Sequence, residues 1–166
     1  MELVDIVNEN GKYLRTQVRD DILNVNEYIK SVHIYLVTNN KEIYIQQRSE
    51  SKEENPNYWE VAGGGVRTRE SVVKAALREI KEEAGIHLKK KDLTLIGTII
   101  CGRYLVNAFV AFIDENSKLS AQYEEVKNSL FVSFAEILHL IDSDRFYSSS
   151  FGLFQKYYLE QINEQI

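Results

Sequence analysis

Residues 63–86 read GGGVRTRESVVKAALREIKEEAGI and carry the strongest pattern in the chain. Three glycines open this stretch. Apolar residues then recur at the spacing of one helix face, at Val73, Ala76, Leu77, Ile80 and Ala84. This periodicity predicts a helix over residues 70–84. Gly85 follows directly, where a residue in the left-handed region commonly ends a helix. We therefore expect a glycine-rich turn, a helix and a glycine stop in immediate succession.

The charged side of the same helix carries three carboxylates close together. Glu79, Glu82 and Glu83 fall at i, i+3 and i+4, where side chains are neighbours on a helix surface. They repel one another, and they crowd the C-terminal half of the helix, where the dipole is already negative. Arg78 borders the cluster, but one arginine does not neutralise three acids. We expect either a solvated acidic face or a hard divalent cation, Mg²⁺ or Mn²⁺, held by carboxylate oxygens.

The spacing across this stretch resembles that of a known family. The fixed positions of a complete Nudix box, residues 64–86, are all present: Gly64, Glu70, Arg78-Glu79-Ile80, Glu82-Glu83 and Gly85-Ile86. The resemblance implies an α/β Nudix fold, an α/β/α sandwich on a mixed β-sheet that carries a loop–helix–loop. It also implies a single domain over residues 1–166.

The resemblance implies a reaction and a role for each motif residue. Nudix enzymes hydrolyse a diphosphate linked to another moiety with Mg²⁺ or Mn²⁺. By position, Glu79, Glu82 and Glu83 would hold the metal, with the Gly64 carbonyl as a further ligand. Arg78 would orient the glutamates through ion pairs.

Other acidic residues have expected roles around the box. Glu70 and Gly85 would stabilise the loop–helix–loop, with Glu70 in the first helical turn, where a carboxylate complements the helix dipole. A catalytic base outside the box is common in the family, and Glu124 and Glu125 are the candidates here. An exposed, solvated acidic pair is the alternative interpretation of these two residues.

The residues before the box carry a finer resemblance. Arg48, Lys52, Pro56 and Trp59 stand at the spacing of the isopentenyl diphosphate isomerases and their hydrolase relatives, and residues 3–11 also resemble those hydrolases. In the isomerases the matching arginine and lysine grip the diphosphate. Two cations one loop apart suit an anionic ligand. We therefore predict phosphate binding by Arg48 and Lys52, with two solvated surface cations as the alternative.

The isomerase reaction itself is disfavoured by this sequence. It needs a cysteine at about the start of the box, and residues 59–64 contain none. The single cysteine, Cys101, lies beyond the box, where we expect a small buried hydrophobe. Residues 104–112 lack the acid that the isomerase needs on a later strand. His33, in an alternating strand, is interpreted as a packed histidine. An isomerase and a non-catalytic ligand-binding Nudix module stay as alternatives.

Composition narrows the class of partner and the location. The 166 residues carry a net charge of −5, so duplex nucleic acid is not expected as a partner, whereas a small phosphorylated molecule is compatible. Hydrophobic residues make up 44% of the chain, enough for a core. The start is acidic and no apolar run approaches the roughly 20 residues of a membrane helix. We expect a cytoplasmic protein with no membrane contact, and a possible homodimer.

Local patterns outside the box predict a mixed sheet with flanking helices. An Asn-Gly turn at residue 10 separates the first two strands. Expected strands cover residues 3–7, 13–18, 31–38, 42–46, 59–62, 93–101 and 104–113. Expected helices near the end cover residues 134–141 and 151–162.

Overall fold

Nine strands and three α-helices form the described part of the chain, residues 2–120 and 126–163 of a computed structural model. The strands are β1 (Leu3–Val7), β2 (Tyr13–Val18), β3 (Tyr28–Thr38), β4 (Ile43–Arg48), β5 (Trp59–Glu60), β6 (Ala62–Gly65), β7 (Leu93–Cys101), β8 (Tyr104–Ile113) and β9 (Val126–Val132). The helices are α1 (Val72–Ala84), α2 (Phe134–Asp142) and α3 (Phe151–Tyr157), and a π-helical turn (Tyr158–Asn163) continues α3. No helix within these described ranges is long and apolar enough to cross a membrane.

The sheet is mixed and is organised around the long strand β3. This strand pairs antiparallel with β1, β4 and β6 and parallel with β8, residue for residue from Ile29–Tyr104 to Thr38–Ile113. Its side chains alternate between two cores, because successive residues of a strand point to opposite faces. Val32, Ile34 and Leu36 pack with α1, whereas Tyr35 and Val37 pack with the C-terminal helices. The predicted α/β/α sandwich on a mixed sheet is confirmed.

Strands β3 and β4 form the predicted hairpin, but they separate directly after the turn. Only Val37 and Ile43 are paired between them. The segment that follows the loop crosses this gap: Trp59 and Glu60 pair with β4, and residues 62–65 pair with β3. The glycine strand is therefore inserted beside the central strand, where it contacts Glu79 and Glu83 in the C-terminal half of α1.

Helix α1 begins two residues later than the sequence pattern predicts. Ser71 is its N-cap and accepts a hydrogen bond from the Lys74 amide at 3.2 Å. The expectation that Glu70 lies in the first turn is wrong, because the Ser71 hydroxyl takes the capping role and leaves Glu70 outside the helix. The predicted stop is confirmed: Gly85 has φ 71° and its amide bonds to the Lys81 carbonyl.

Strand β9 was not expected from the sequence. Its polar residues Lys127, Asn128 and Ser129 obscure the alternation, and its stability comes from pairing with β4. Cys101 also differs from expectation. It is half-buried rather than part of the core, and its Sγ lies 3.3 Å from the Tyr147 hydroxyl.

His33 joins β3 to the start of α3. Its Nδ1 lies 2.8 Å from the Ser150 hydroxyl, and Ser150 directly precedes α3. Burial lowers the pKa of His33 from 6.5 to about 4. The histidine is thus a neutral packing residue at physiological pH, as the alternating strand indicates.

The buried neutral His33 makes folding stability depend on pH. Between pH 6.5 and about 4 the unfolded chain binds a proton at His33 that the folded chain does not. The free energy of unfolding should therefore fall by up to about 3 kcal/mol as the pH is lowered through this window. Urea unfolding at about pH 7 and about pH 4.5 measures this effect. We expect the free energy of unfolding to fall less between these two pH values in His33→Gln than in the wild type. An unchanged pH dependence in the variant would contradict the assignment.

Candidate functional site

The glycine strand β6 brings backbone against the side chains around it. A Cβ on Gly64 would lie 2.6 Å from Glu79 Cδ, inside the van der Waals distance. A Cβ on Gly63 would collide with the Val32 carbonyl oxygen. Only glycine permits these approaches. The strand therefore lets the carboxylate of Glu79 lie directly on the Gly64 backbone.

Two neighbouring glycines allow a matched test of this close approach. Gly64→Ala would displace the Glu79 carboxylate, whereas Gly65→Ala would displace only the flexible end of Arg19. We expect Gly64→Ala to lower kcat by about a hundredfold, the cost of moving a reacting group by roughly 1 Å. Gly65→Ala should keep kcat near that of the wild type, and thermal unfolding should change little in both. Equal activity in the two variants would contradict this role for Gly64.

Arg78 is the centre of an ion-pair network on α1. Its Nε and Nη2 donate to the two oxygens of Glu70, each at 2.9 Å, and Nη2 also donates to the Gly65 carbonyl at 2.9 Å. Its Nη1 donates to Glu79 at 2.6 Å and to Glu82 at 3.2 Å. Hydrogen bonds to the carboxylates, chiefly to Glu70, raise the pKa of Arg78 despite its burial. One guanidinium thus joins the loop, the glycine strand and two of the three helix glutamates.

Glu83 has a different environment from the other two glutamates. It is 6% exposed, and one carboxylate oxygen accepts the Gly63 amide at 2.8 Å. Burial raises its pKa well above the ordinary value; the Gly63 bond opposes this, and the carboxylates of Glu79 and Glu60 add to it. Glu83 therefore lies at a point of surplus negative charge.

The carboxylates do not form a closed metal site on their own. In residues 2–120 and 126–163, no three acidic, histidine or cysteine side chains meet at one point. Glu79 and Glu82 share Arg78, whereas Glu83 contacts Gly63. The donor set nevertheless fits Mg²⁺ or Mn²⁺, since it consists of hard carboxylate oxygens and the mutual repulsion of Glu79 and Glu83 favours a cation.

The sequence analysis did not identify a buried series of hydrogen-bonded polar side chains on β4 and β5. The Gln46 side chain bonds to both Glu60 and Glu83, and Gln46 is 1% exposed. The Tyr44 hydroxyl lies 3.1 Å from Gln46 Oε1 and 3.3 Å from the Glu83 carbonyl. A glutamine in an alternating apolar strand, and a glutamate in the strand that leads to the glycines, were the available signals.

Arg48 and Lys52, the two residues predicted to bind phosphate, lie near Glu60, at one end of this series of polar side chains. Arg48 Nη1 contacts the two Glu60 oxygens at 3.2 and 2.9 Å, and Arg48 Nε donates to the Glu54 carbonyl at 3.0 Å. Burial raises the pKa of Glu60, and the charges of Arg48 and Lys52 oppose this. The structure thus brings both cations to a carboxylate that is electrostatically coupled to Glu83.

The two candidate bases, Glu124 and Glu125, lie outside the described residues. Their role stays a prediction. The next described residue, Val126, pairs with Arg48 at the end of β9.

Three comparisons place this geometry among known proteins. The family profile described as NUDIX domain matches residues 27–150. An uncharacterized Nudix hydrolase of Listeria innocua is 32% identical over 154 residues, 88% of each chain. A crystal structure from Deinococcus radiodurans superposes with a TM-score of 0.75 at 19% identity, over 90% of this chain and 94% of that one. The NUDIX domain of Shewanella oneidensis NrtR, solved with ADP ribose, gives a TM-score of 0.58 at 17% identity, over 68% and 77%.

Proposed function

The chain belongs to the Nudix family, and from this premise we propose that it is a metal-dependent hydrolase of a phosphoanhydride in a small metabolite. The substrate would be a diphosphate linked to another moiety, such as a nucleoside diphosphate derivative. The observation that carries this proposal is the Arg78 network, which holds two acidic residues of α1 beside the glycine strand. The whole chain, residues 1–166, would act as one catalytic domain.

Mg²⁺ or Mn²⁺ would be held by Glu79, Glu82 and Glu83, with the Gly64 carbonyl as a further ligand. When bound, the ion supplies charge neutralisation at phosphate oxygens and an activated water. Arg78 restrains two of these glutamates, Glu79 and Glu82, by hydrogen bonds.

The remaining residues of the box act through position. Glu70 fixes the Arg78 guanidinium by a two-point ion pair, and Gly85 ends α1 directly after the last acidic residue.

Glu124 or Glu125 would serve as the base that takes the proton from the attacking water.

Arg48 and Lys52 would bind the phosphates of the substrate, as the matching residues bind the diphosphate in the isomerases, and the chain would be a hydrolase of the isomerase-like branch. Their placement beside Glu60, which is coupled to Glu83, supports this proposal. Isomerisation is disfavoured, because residues 59–64 contain no cysteine. A cytoplasmic location and a homodimer are expectations from the sequence.

A hydrolysis screen tests the reaction class. It separates the products by chromatography, because cleavage of a compound such as ADP-ribose gives two phosphomonoesters and no free phosphate. The panel contains nucleoside di- and triphosphates, dinucleotide polyphosphates, ADP-ribose, NADH, coenzyme A and prenyl diphosphates, with Mg²⁺, Mn²⁺ or a chelator. Neighbours of this fold include a domain solved with ADP ribose, so that compound is tested first. We expect hydrolysis that needs the metal and disappears in a Glu83→Gln control.

Two other results would contradict the proposal. Silence across the panel, with Mg²⁺ binding shown by calorimetry, would favour a non-catalytic ligand-binding module. Conversion of a prenyl diphosphate into a product that keeps its diphosphate, abolished by a thiol reagent on Cys101, would favour an isomerase.

A further inference from the structure

The N-terminal hairpin reaches the loop that precedes α1. Strands β1 and β2 and the following residues up to 26 lie before the matched family region, residues 27–150. Two contacts join this N-terminal segment to the region before α1. Asp5 Oδ2 of the hairpin accepts the Arg69 amide of the loop at 2.9 Å, and the Arg19 guanidinium, just after β2, lies against the Gly65 backbone at the end of β6.

The first contact holds a residue in a rare backbone conformation. Arg69 has φ 62°, in the left-handed region, which is energetically unfavourable for a residue other than glycine. Such a conformation persists where its surroundings fix it. The carboxylate of Asp5 gives the Arg69 amide a charge-assisted hydrogen bond, which is stronger than one between neutral groups.

Arg69 lies inside the turn that presents Glu70. The Glu70 amide donates to the Arg67 carbonyl at 3.0 Å, and the Arg67 amide donates back to Glu70 Oε2 at 3.0 Å. The same Glu70 carboxylate receives the two bonds from Arg78. A continuous series of contacts therefore runs from Asp5 through this turn and Arg78 to the helix glutamates.

We propose that Asp5 is a positioning residue that fixes the turn at Arg69 and, through Glu70 and Arg78, the carboxylates of Glu79 and Glu82. The proposal rests on the function proposed above, since it assigns those carboxylates to the metal. The other oxygen of Asp5 accepts the Thr16 hydroxyl within the hairpin at 2.8 Å. One carboxylate thus joins the hairpin to the loop.

Three variants separate positioning from general support. Asp5→Ala removes both hydrogen bonds of the carboxylate. Asp5→Asn keeps an amide oxygen that can accept the Arg69 N–H. Thr16→Val removes only hydrogen bonds within the hairpin, those of the Thr16 hydroxyl with Asp5 and Tyr13, at almost the same side-chain volume, and is the matched control.

Two readouts need no substrate. Amide hydrogen exchange at Arg69, measured by NMR on the metal-free protein, should accelerate by at least about tenfold in Asp5→Ala and stay slow in the other two variants. Affinity for Mg²⁺, measured by calorimetry, should fall by about tenfold in Asp5→Ala alone, the scale of losing a group that orients metal ligands. With the substrate known, kcat should follow the Mg²⁺ affinity.

Each other outcome overturns the proposal in a distinct way. Wild-type exchange and Mg²⁺ affinity in Asp5→Ala would show that the turn holds itself. Equal losses in Asp5→Ala and Thr16→Val would show that the hairpin is only a general support. A wild type that binds no Mg²⁺ and hydrolyses nothing would overturn the proposed function, and this inference with it.

Discussion

Glu83→Gln should lower kcat by two to three orders of magnitude or more while the protein becomes no less stable. The size of the loss is that of removing one group that stabilises charge developing in a reaction. Stability should hold because the amide has the shape of the carboxylate without its buried charge. The Gly63 amide can still donate to the Gln oxygen, as it does to Glu83.

The sign of the stability change follows from the pKa of Glu83. Burial raises this pKa well above 4.5, so ionisation of Glu83 at neutral pH costs stability in the metal-free protein. Its contribution is fully present below pH 4.5 and is lost as the pH rises through the folded-state pKa. Glu83→Gln should lack this loss. His33 acts in the opposite direction below pH 6.5, so wild type and variant are compared at each pH.

Thermal unfolding with and without Mg²⁺ measures both parts of the prediction. Mg²⁺ should raise the Tm of the wild type, because a ligand that binds only the folded state stabilises it, and should raise that of the variant much less. Glu82→Gln is the control. It should also lower kcat, because Glu82 is a proposed metal ligand. It should not raise the metal-free Tm, because the Glu82 side chain is 36% exposed and its charge is not buried. Near-wild-type kcat in Glu83→Gln would show that Glu83 does not bind the metal.

Arg78→Ala should reduce both stability and activity. Its side chain is 16% exposed, and the guanidinium contacts three carboxylates and a carbonyl. Removing one partner of a fully buried ion pair costs about 3 kcal/mol or more. This half-buried network should lose up to about that amount, because Glu79 stays buried without its cation. We expect kcat to fall by about a hundredfold, since the glutamates lose their fixed geometry.

Arg78→Lys keeps the charge but loses the planar fork. A lysine cannot make the two-point contact with Glu70 and also reach Glu79. It should recover part of the Tm lost in Arg78→Ala and little of the kcat. Full recovery of kcat by lysine would mean that charge alone, without the geometry of the fork, accounts for the role of Arg78.

The sequence predicts helix α1 well because its signals are local. The apolar period of α1 and the glycine at its end act within a few residues of each other. Even here, the sequence places Glu70 in the first turn, whereas in the structure Ser71 caps the helix and Glu70 lies before it. The pairing of Arg78 with Glu82 is also local, since the two stand four residues apart on one helix.

The rest of the site depends on contacts between distant segments. The bond from Gly63 to Glu83 requires the glycine strand to pair with β3, and Asp5 meets Arg69 across 64 residues. Strand β9 forms only because β4 offers it an edge. Neither periodicity nor spacing within one segment predicts these contacts between distant segments, because tertiary packing determines them.

The gap between β3 and β4 separates two groups of residues. The glutamates of α1 are supported by β3 through β6, whereas Arg48 and the loop with Lys52 are carried by β4 and β5. Backbone pairing between β3 and β4 is limited to one position after the turn. Strand β4 is nevertheless tied to α1, because Tyr44 and Gln46 bond to Glu83. The loop of residues 49–58 lies outside the strands and is mostly exposed. This loop can therefore diverge during evolution, or be exchanged by an engineer, with the sheet and α1 left in register.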